Sequence, residues 1–350
     1  MKPGKTTMAD VAERAGVSPA TVARVLYANG YVSKQRRAIV EAALKATGYR
    51  PNVMARALRT ARSFTLGMVV SESRLNPFHS LVAHAVQLEA LQHGYTVLTL
   101  NNGANEAIER EGVQRFLDQH VDAIIFCAAI NAESVRSIAA SGTPVVQVER
   151  QRAKVGSFSL VDPKPGIKQA IEHLRDLGHA RIGYIGGEIS PGLLESPRVR
   201  SVEAQRVDAF RNSLTAAGLA VAEELTRLVP YYVEGVERHP AGTMTNDLLS
   251  LARRPTAIVY GADVLAAPGL QALAENGMRV PADISIISYD DTFAEILTPP
   301  LTSIAQPISE LGRNAVTLAL GAIANSDAPP RKLLASTKLV LRQSTGSPAV

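Results

Sequence analysis

The 350-residue sequence holds a single cysteine, Cys127. One thiol makes neither an internal disulfide nor a multi-cysteine metal centre, which fits a reducing compartment. It lies in an apolar run and reads as an inert core thiol. No stretch reaches the roughly 18 apolar residues of a membrane span, and the basic start MKPGKTTMADVAERAGV lacks the apolar core of a secretory signal. A cytoplasmic protein without membrane contact is expected. The histidines at 79, 84, 93, 120, 173, 179 and 239 form no HExxH and no other dense metal spacing, so each reads as structural or surface. RIGYIGG has neither the GxGxxG nor the GxxxxGK[ST] spacing of a nucleotide cradle. No catalytic residue, metal or cofactor is expected, and the chain reads as a non-enzyme.

What is present is ordinary in amount and uneven in distribution. At roughly 100 to 200 residues per domain, the length makes two or three domains with ample core. Hydrophobic residues at 46% and charged residues at 20% describe a soluble globular chain. The net charge of +5 conceals a strong asymmetry. Residues 1–63 carry 12 Lys and Arg against Asp10, Glu13 and Glu41, a net of +9, which leaves the remainder at −4. Basic residues gathered in a short segment are the electrostatic footprint of a nucleic-acid module, because neutralising phosphates releases counterions.

Local order shows that this segment is not a tail. Thr7, followed three residues later by Asp10, reads as a capping pair that opens a helix ending at Gly16. Ser18 is a second N-cap with Pro19 at the first helical position, and the helix runs on to Leu26. Val11, Ala12, Ala15, Val17, Val22, Val25 and Leu26 recur at helical spacing and share a core, while Ser18, Thr21 and Arg24 project outward. This is a helix-turn-helix pattern. A third helix starts at Ser33, is expected to bury Ala38, Ile39, Ala42, Ala43 and Leu44 or their neighbours, and stops at Gly48. After Pro51, Asn52 can cap a short linker helix carrying Arg56, Arg59 and Arg62 around Leu58. Arginines beside an isolated apolar side chain suit a narrow minor groove, with the apolar residue wedged into a base step.

Beyond Arg62 the period changes. Strand-like runs occupy 65–71, 95–101, 123–128, 144–149, 157–162, 181–186, 227–233, 256–261 and 284–289, and helical stretches separate most of them. Nearly continuous apolar strands alternating with helices mark parallel sheets covered on both faces. Two sheets fit the count, one through about Asp162 and one from there to about Asp290.

The stretches TMADVAERAGVSPATVARVL, GYVS, ATGYRPNVMARALRTARS, NPF, GHARIGYIGG and SYDDTFAEILTPPLTSIAQPISELG closely resemble the lactose/galactose-repressor family of bacterial transcription regulators, from about Thr6 to about Arg342. The resemblance implies an all-α helix-turn-helix headpiece (1–51) and a hinge helix (52–63). A two-lobed, periplasmic-binding-protein-like effector domain (64–342) and a flexible tail (343–350) complete the chain. It places the chain's returns between lobes at 290–293 and near 322, so that 64–162 and 293–322 form the first lobe and 163–290 and 323–342 the second. It implies a homodimer, with each second helix in the major groove of a half-site and paired hinge helices in the minor groove.

Carried over residue by residue, Ser18, Pro19, Ala20, Thr21 and Arg24 face bases and phosphates, with Arg24 placed for a bidentate contact to guanine. Thr7 and Asn52 become backbone contacts, Leu58 the intercalating leucine and Arg59 its basic neighbour, with Arg56 alongside. Ligands of such sheets lie outside the strand carboxyl ends, in the cleft between lobes. There Leu75 and Phe78 would wall the pocket, Arg206 and Asp290 would fork onto ligand hydroxyls, and Arg150 and Asp263 would join them. Departures from the family pattern are Ala23 for serine, Tyr27 for asparagine, Lys34-Gln35-Arg36 for acidic residues, and Ala262 for asparagine before Asp263. The expected activity is binding of a pseudo-palindromic operator, controlled by a small effector. A sugar or sugar derivative is expected, an anionic one such as a sugar acid if Arg150 and Arg206 both face the cleft, with a purine as the second choice. A solute-binding protein for sugar uptake shares the two-lobed architecture, but it needs a signal peptide and no basic headpiece. The tail has no leucine heptads, so a dimer rather than a tetramer is expected.

Overall fold

A computed structural model of the protein describes residues 6–27, 29–49, 60, 62–71, 76–127, 129–130, 132–187, 201–231 and 239–349. The chain divides into two compact units, 1–63 and 64–350. In the first, α1 (Met8–Ala15), α2 (Pro19–Leu26) and α3 (Lys34–Thr47) share one small core. The start of α1 is a full capping box. The Thr7 backbone N–H donates to Asp10 at 2.7 Å, and the Asp10 N–H donates to the Thr7 hydroxyl at 3.3 Å. Gly16 closes α1 at φ 63°, a left-handed conformation that glycine adopts without strain. Ser18 caps α2 by accepting from the Thr21 N–H, with Pro19 at the first position.

The face of α3 differs from expectation. Val40 and Ala43 are the buried residues, Leu44 is half-buried, and Ala38, Ile39 and Ala42 are exposed. This helix is richer in apolar residues than a helix on two short partners can bury. Only the stripe through Val40, Ala43 and Leu44 reaches Val11, Ala15, Val22 and Val25.

The second unit alternates strands and helices. Its first part is β1 (Thr65–Val70), α4 (Phe78–Gln92), β2 (Thr96–Asn101), α5 (Glu106–Asp118), β3 (Ala123–Phe126), α6 (Ala132–Ala140), β4 (Val145–Val148) and β5 (Ser157–Asp162). Then follow α7 (Lys164–Asp176), β6 (Ile182–Gly187), α8 (Val202–Ala216), β7 (Thr226–Val229), α9 (Pro240–Leu249), β8 (Ala257–Tyr260), α10 (Asp263–Glu275) and β9 (Ser285–Asp290). The last elements are β10 (Thr302–Ala305), α11 (Ile308–Ala324), β11 (Lys332–Ser336) and β12 (Lys338–Val340). The strands form two sheets, ordered β11-β5-β4-β3-β1-β2 and β12-β10-β9-β8-β6-β7, with every pairing parallel except β10 with β12. Strands β3, β4, β6, β8 and β9 are buried along their whole length, as expected of sheets covered on both faces. Helices α4 and α11 cover one face of the first sheet. They approach closely at Gly312, where a side chain would collide with the backbone of Ala85 and Val86.

Strand pairing divides the C-terminal third differently from the expected boundaries. β10 belongs to the second sheet, so the chain returns to the first lobe between Ala305 and Ile308 rather than at 290–293. β11 pairs with β5 in the first sheet, and the last return falls between Ser336 and Lys338 rather than near 322. Two crossovers are tied together where the Thr337 hydroxyl donates to the Asp162 carbonyl at 3.0 Å.

The expected tail at 343–350 is built into the second lobe as far as Gly346. The Ser344 hydroxyl donates to the Ile286 carbonyl at 2.6 Å and accepts from the Thr302 N–H at 2.8 Å. The Gly346 N–H donates to the Ser285 hydroxyl at 3.0 Å, and His179 lies 2.8 Å from the Gly346 carbonyl. A Gln-Ser-Thr-Gly run has the composition of a linker, but here its small polar groups satisfy strand-edge donors and acceptors that burial would leave unpaired. Among the described residues, no helix is long and apolar enough to cross a membrane.

Candidate DNA-binding and effector sites

The cap at Ser18 fixes the start of α2, and the helical period then sends Val22 and Val25 inward. Ser18, Pro19, Ala20 and Arg24 are exposed, and Thr21 is half-exposed. The two hydroxyls at the helix start lie 3.0 Å apart, so Ser18 and Thr21 hold one another in place. The backbone turn after α2 is anchored by the Asn29 N–H on the Arg24 carbonyl at 3.1 Å, and no carboxylate pairs with the Arg24 side chain among the described residues. Exposed donors at the N-terminal half of a helix, on a unit of net charge +9, are what a major groove requires. Thr7 lies at the start of α1, with its hydroxyl used in the capping box. Asn52, Arg56, Leu58 and Arg59 lie outside the described residues, as does Leu75 of the effector set.

In the second unit the strand carboxyl ends converge on a cavity of about 180 Å³. Its wall includes Ser71 and Phe78 from the first lobe, Glu149 and Arg150 after β4, and Arg206, Tyr231, Asp290 and Gln306. Phe78, Arg150, Arg206 and Asp290 are thus brought together. At the centre is the buried Arg206 guanidinium, stacked over the Tyr289 ring at 4.0 Å. It donates to the Gly261 carbonyl at 3.0 Å and lies 3.6 Å from Glu149 and 3.7 Å from Asp290.

Both carboxylates sit at positive φ, 62° at Glu149 and 95° at Asp290, a conformation that non-glycine residues rarely adopt. Strain of this kind persists where the surroundings over-determine it, and here both strained residues face one guanidinium. Arg150 bridges Glu149 at 3.2 Å and Glu203 at 2.8 Å.

Electrostatics separates the two acids. Burial raises the Glu149 carboxyl, but Arg150, His79 and Arg206 outweigh it and hold it at about 2. Burial dominates at Asp290, where Arg206 and the amide of Gln306, donating at 2.6 Å, only partly offset it, and its carboxyl is pushed up to about 7. Neighbouring Asp291 points elsewhere and pairs with Arg342 at 2.5 Å, so the adjacent aspartates share no substrate.

Asp263 is a correction to the expected ligand set. Its carboxylate accepts from the Thr292 N–H at 2.7 Å, the Thr292 hydroxyl at 3.0 Å, the Phe293 N–H at 3.1 Å and the Ser288 hydroxyl. It is fully buried and spent on holding the turn after β9, which carries Asp290. His79 holds neighbouring groups on the cavity wall. One ring nitrogen lies 2.7 Å from the Ser71 carbonyl and the other 3.7 Å from Glu149, on the cavity wall. Glu149, Tyr231 and Gln306 are cavity residues that the sequence had not picked out. Cys127 is buried in the first sheet, as expected, and burial pushes its thiol up.

A helix-turn-helix unit joined to a two-lobed unit with a polar cavity at its strand ends defines a DNA-binding protein that answers to a small ligand. Residues 7–52 match the model of bacterial regulatory proteins of the lacI family, and residues 171–345 match the periplasmic binding protein-like domain. The chain is 31% identical over 343 residues to the ribose operon repressor of Escherichia coli (strain K12), covering 97% of this chain and 99% of that protein. It is 30% identical over 347 residues to the HTH-type transcriptional regulator DegA of Bacillus subtilis (strain 168), covering 97% and 98%. The lac repressor dimer bound to operator and the anti-inducer ONPF superposes with a TM-score of 0.71 at 27% identity, over 97% of this chain and 99% of that one. The chain belongs to the lacI family of bacterial regulatory proteins. It is a DNA-binding transcriptional regulator under small-molecule control, not an enzyme or a solute-binding protein.

Proposed function

We propose that the protein is a homodimeric repressor whose operator affinity is set by a neutral sugar bound at Phe78, Arg206 and Asp290, with Glu149 and Gln306 completing the site. The observation that carries the choice of ligand is charge balance. Two guanidinium groups, Arg150 and Arg206, face three carboxyl groups, Glu149, Glu203 and Asp290, so the site is neutral or negative and leaves no unpaired cation for an acid. Alternating donors and acceptors suit a polyol, whose hydroxyls do both. By family resemblance Leu75, outside the described residues, would also contact the sugar. Asp263 holds the turn and does not touch the ligand.

Titration calorimetry with neutral sugars, their sugar acids and purines tests this. A neutral sugar is expected to bind at least 10-fold more tightly than the acid of the same skeleton. Preferential binding of the acid or of a purine contradicts the assignment.

On DNA, Ser18, Pro19, Ala20, Thr21 and Arg24 read the major groove. Thr7 and Asn52 position the backbone, and Arg56, Leu58 and Arg59 engage the minor groove. Replacing Arg24 by alanine is expected to remove about 1–3 kcal/mol of discrimination at one base pair per half-site. Competition binding against single-base operator variants measures it, and equal weakening across all variants would place Arg24 on a phosphate instead. The sugar controls transcription through its unequal affinity for two arrangements of the lobes.

A further inference from the structure

The sequence contains three Asn-Gly pairs, at 29–30, 102–103 and 276–277. Asparagine before glycine is chemically labile, because the glycine backbone nitrogen, unshielded by a side chain, can attack the carbonyl carbon of the asparagine side chain. Hydrogen bonding decides whether the two groups are free to meet. At Asn102 the side-chain amide donates to Glu109 at 2.8 Å and its oxygen accepts from the Ala104 N–H at 3.1 Å, while the Gly103 N–H donates to the Asn101 side chain at 3.0 Å. At Asn276 the amide donates to Asn246 and to the Ala272 carbonyl, both at 2.8 Å, and the Gly277 N–H donates to the Ala274 carbonyl at 3.0 Å. In both pairs the amide and the nitrogen that would attack it are committed elsewhere. Asn276 is exposed all the same, so exposure alone does not distinguish the three.

Asn29-Gly30 differs from both. The two residues are exposed, between α2 and α3. Neither the Asn29 side chain nor the Gly30 N–H has a hydrogen-bond partner among the described residues, and only the Asn29 backbone N–H is engaged, on the Arg24 carbonyl. Gly30 stands at φ 99°, a conformation that favours glycine. The Arg24 side chain passes over this turn, with its Cδ 3.7 Å from where a Cβ on Gly30 would stand. A charge formed at residue 29 therefore forms beside the arginine assigned to the operator.

We propose that Asn29-Gly30 is a site of spontaneous modification that lowers operator affinity as the protein ages. The Gly30 nitrogen bonds to Asn29 Cγ, and the side-chain nitrogen leaves as ammonia, taking with it the Gly30 N–H proton, which gives a cyclic succinimide. Water then adds across one of the two ring C–N bonds, and the opened ring is either aspartate or isoaspartate. No electrons are exchanged, and water is the sole co-reactant. Either product carries a carboxylate that is ionised at neutral pH, which lowers the net charge of residues 1–63 from +9 to +8. The carboxylate is placed to pair with Arg24 and to repel phosphates, and isoaspartate also lengthens the backbone between the two helices by a methylene. The consequence for DNA rests on the proposed assignment of Arg24, whereas the chemistry at Asn29 does not.

The test incubates the full chain at mildly alkaline pH and follows conversion of each Asn-Gly pair by peptide mapping with mass spectrometry. Affinity is measured in parallel, for the parent, Asn29→Gln and Asn29→Asp, on the palindromic duplex that the fresh parent selects from a library. Asn29 is expected to convert roughly 10-fold or more faster than Asn102 and Asn276, whose hydrogen bonds must first break. The converted parent and fresh Asn29→Asp should bind the duplex about 10-fold more weakly than the fresh parent, while Asn29→Gln should keep its starting affinity throughout. The proposal is overturned if Asn29 converts no faster than the other two, if Asn29→Asp binds like the fresh parent, or if Asn29→Gln loses affinity at the parent's rate. Equal weakening of all operator variants by Arg24→Ala, alongside the expected results at Asn29, would remove the base contact from Arg24 and leave the modification site standing.

Discussion

Replacing Arg206 by alanine is expected to abolish the effector response and leave operator binding in place. The guanidinium lines the cavity but is only 3% exposed, held against Glu149 and Asp290. Removing it leaves two carboxylates facing one another in a polar cavity, a change that typically costs about 3–5 kcal/mol where a buried pair loses one partner. The second unit should therefore lose thermal stability, and sugar affinity should fall by roughly 100-fold or more because both the donor fork and the carboxylate alignment disappear. The three-helix unit has its own core of Val11, Ala12, Val22, Val25 and Val40, so DNA recognition does not depend on this arginine. Operator titrations with and without sugar read the outcome. A variant that still answers to the sugar at the parent's concentrations would remove Arg206 from the site.

The second large effect concerns Asp290 and pH. Its carboxyl titrates at about 7 in the folded chain, against an ordinary value of 3.8, so folding takes up a proton between those values. This group's contribution to stability is therefore fully present below about pH 4 and lost as the pH rises through 7. Asp290→Asn is expected to raise the melting temperature of the ligand-free protein by several degrees at pH 8, with the gain shrinking toward pH 4. The gain corresponds to an effect of about 4 kcal/mol at most.

Ligand affinity should move the other way. If Asp290 accepts from sugar hydroxyls as proposed, its ionised form is the better acceptor, and the parent is expected to bind more tightly at pH 8 than at pH 6. The asparagine variant should bind roughly 10- to 100-fold more weakly at pH 8 and show a flatter profile. A parent whose sugar affinity does not change between pH 6 and pH 8 would contradict this role. Stability is thus surrendered at this residue for binding, in keeping with its strained backbone at φ 95°.

Much of this architecture is legible in the sequence because its determinants are local. Thr7 with Asp10, Gly16, and Ser18 with Pro19 each act within four residues, and each works as its chemistry requires. The central strands were legible because burial on both faces forces nearly continuous apolar runs. The last three strands were not. β10 buries Thr302 and Ser303, and β11 and β12 are short, with Lys332 and Lys338 pointing outward, so their composition carries no strand period. With no strand period to read there, the lobe boundaries rested on the resemblance alone, and Gln306, which follows β10 directly, gave no signal.

Arg206, Asp290 and Phe78 were recognisable by resemblance, whereas Glu149 ended a strand-like run and gave no separate signal. Asp263 shows the opposite limit. A carboxylate that binds ligand and one that holds a turn look alike in sequence, and only the donors gathered by residues 288–293 distinguish them.

The most direct test of the central claim is selection of DNA from a library of palindromic duplexes by the full chain, at two salt concentrations, with and without the neutral sugar found by calorimetry. The result expected is one short pseudo-palindrome, a steep fall in affinity with salt, and a shift in affinity when the sugar is added. Failure to enrich any sequence, or enrichment of one whose affinity the sugar does not change, would contradict a ligand-controlled operator-binding regulator.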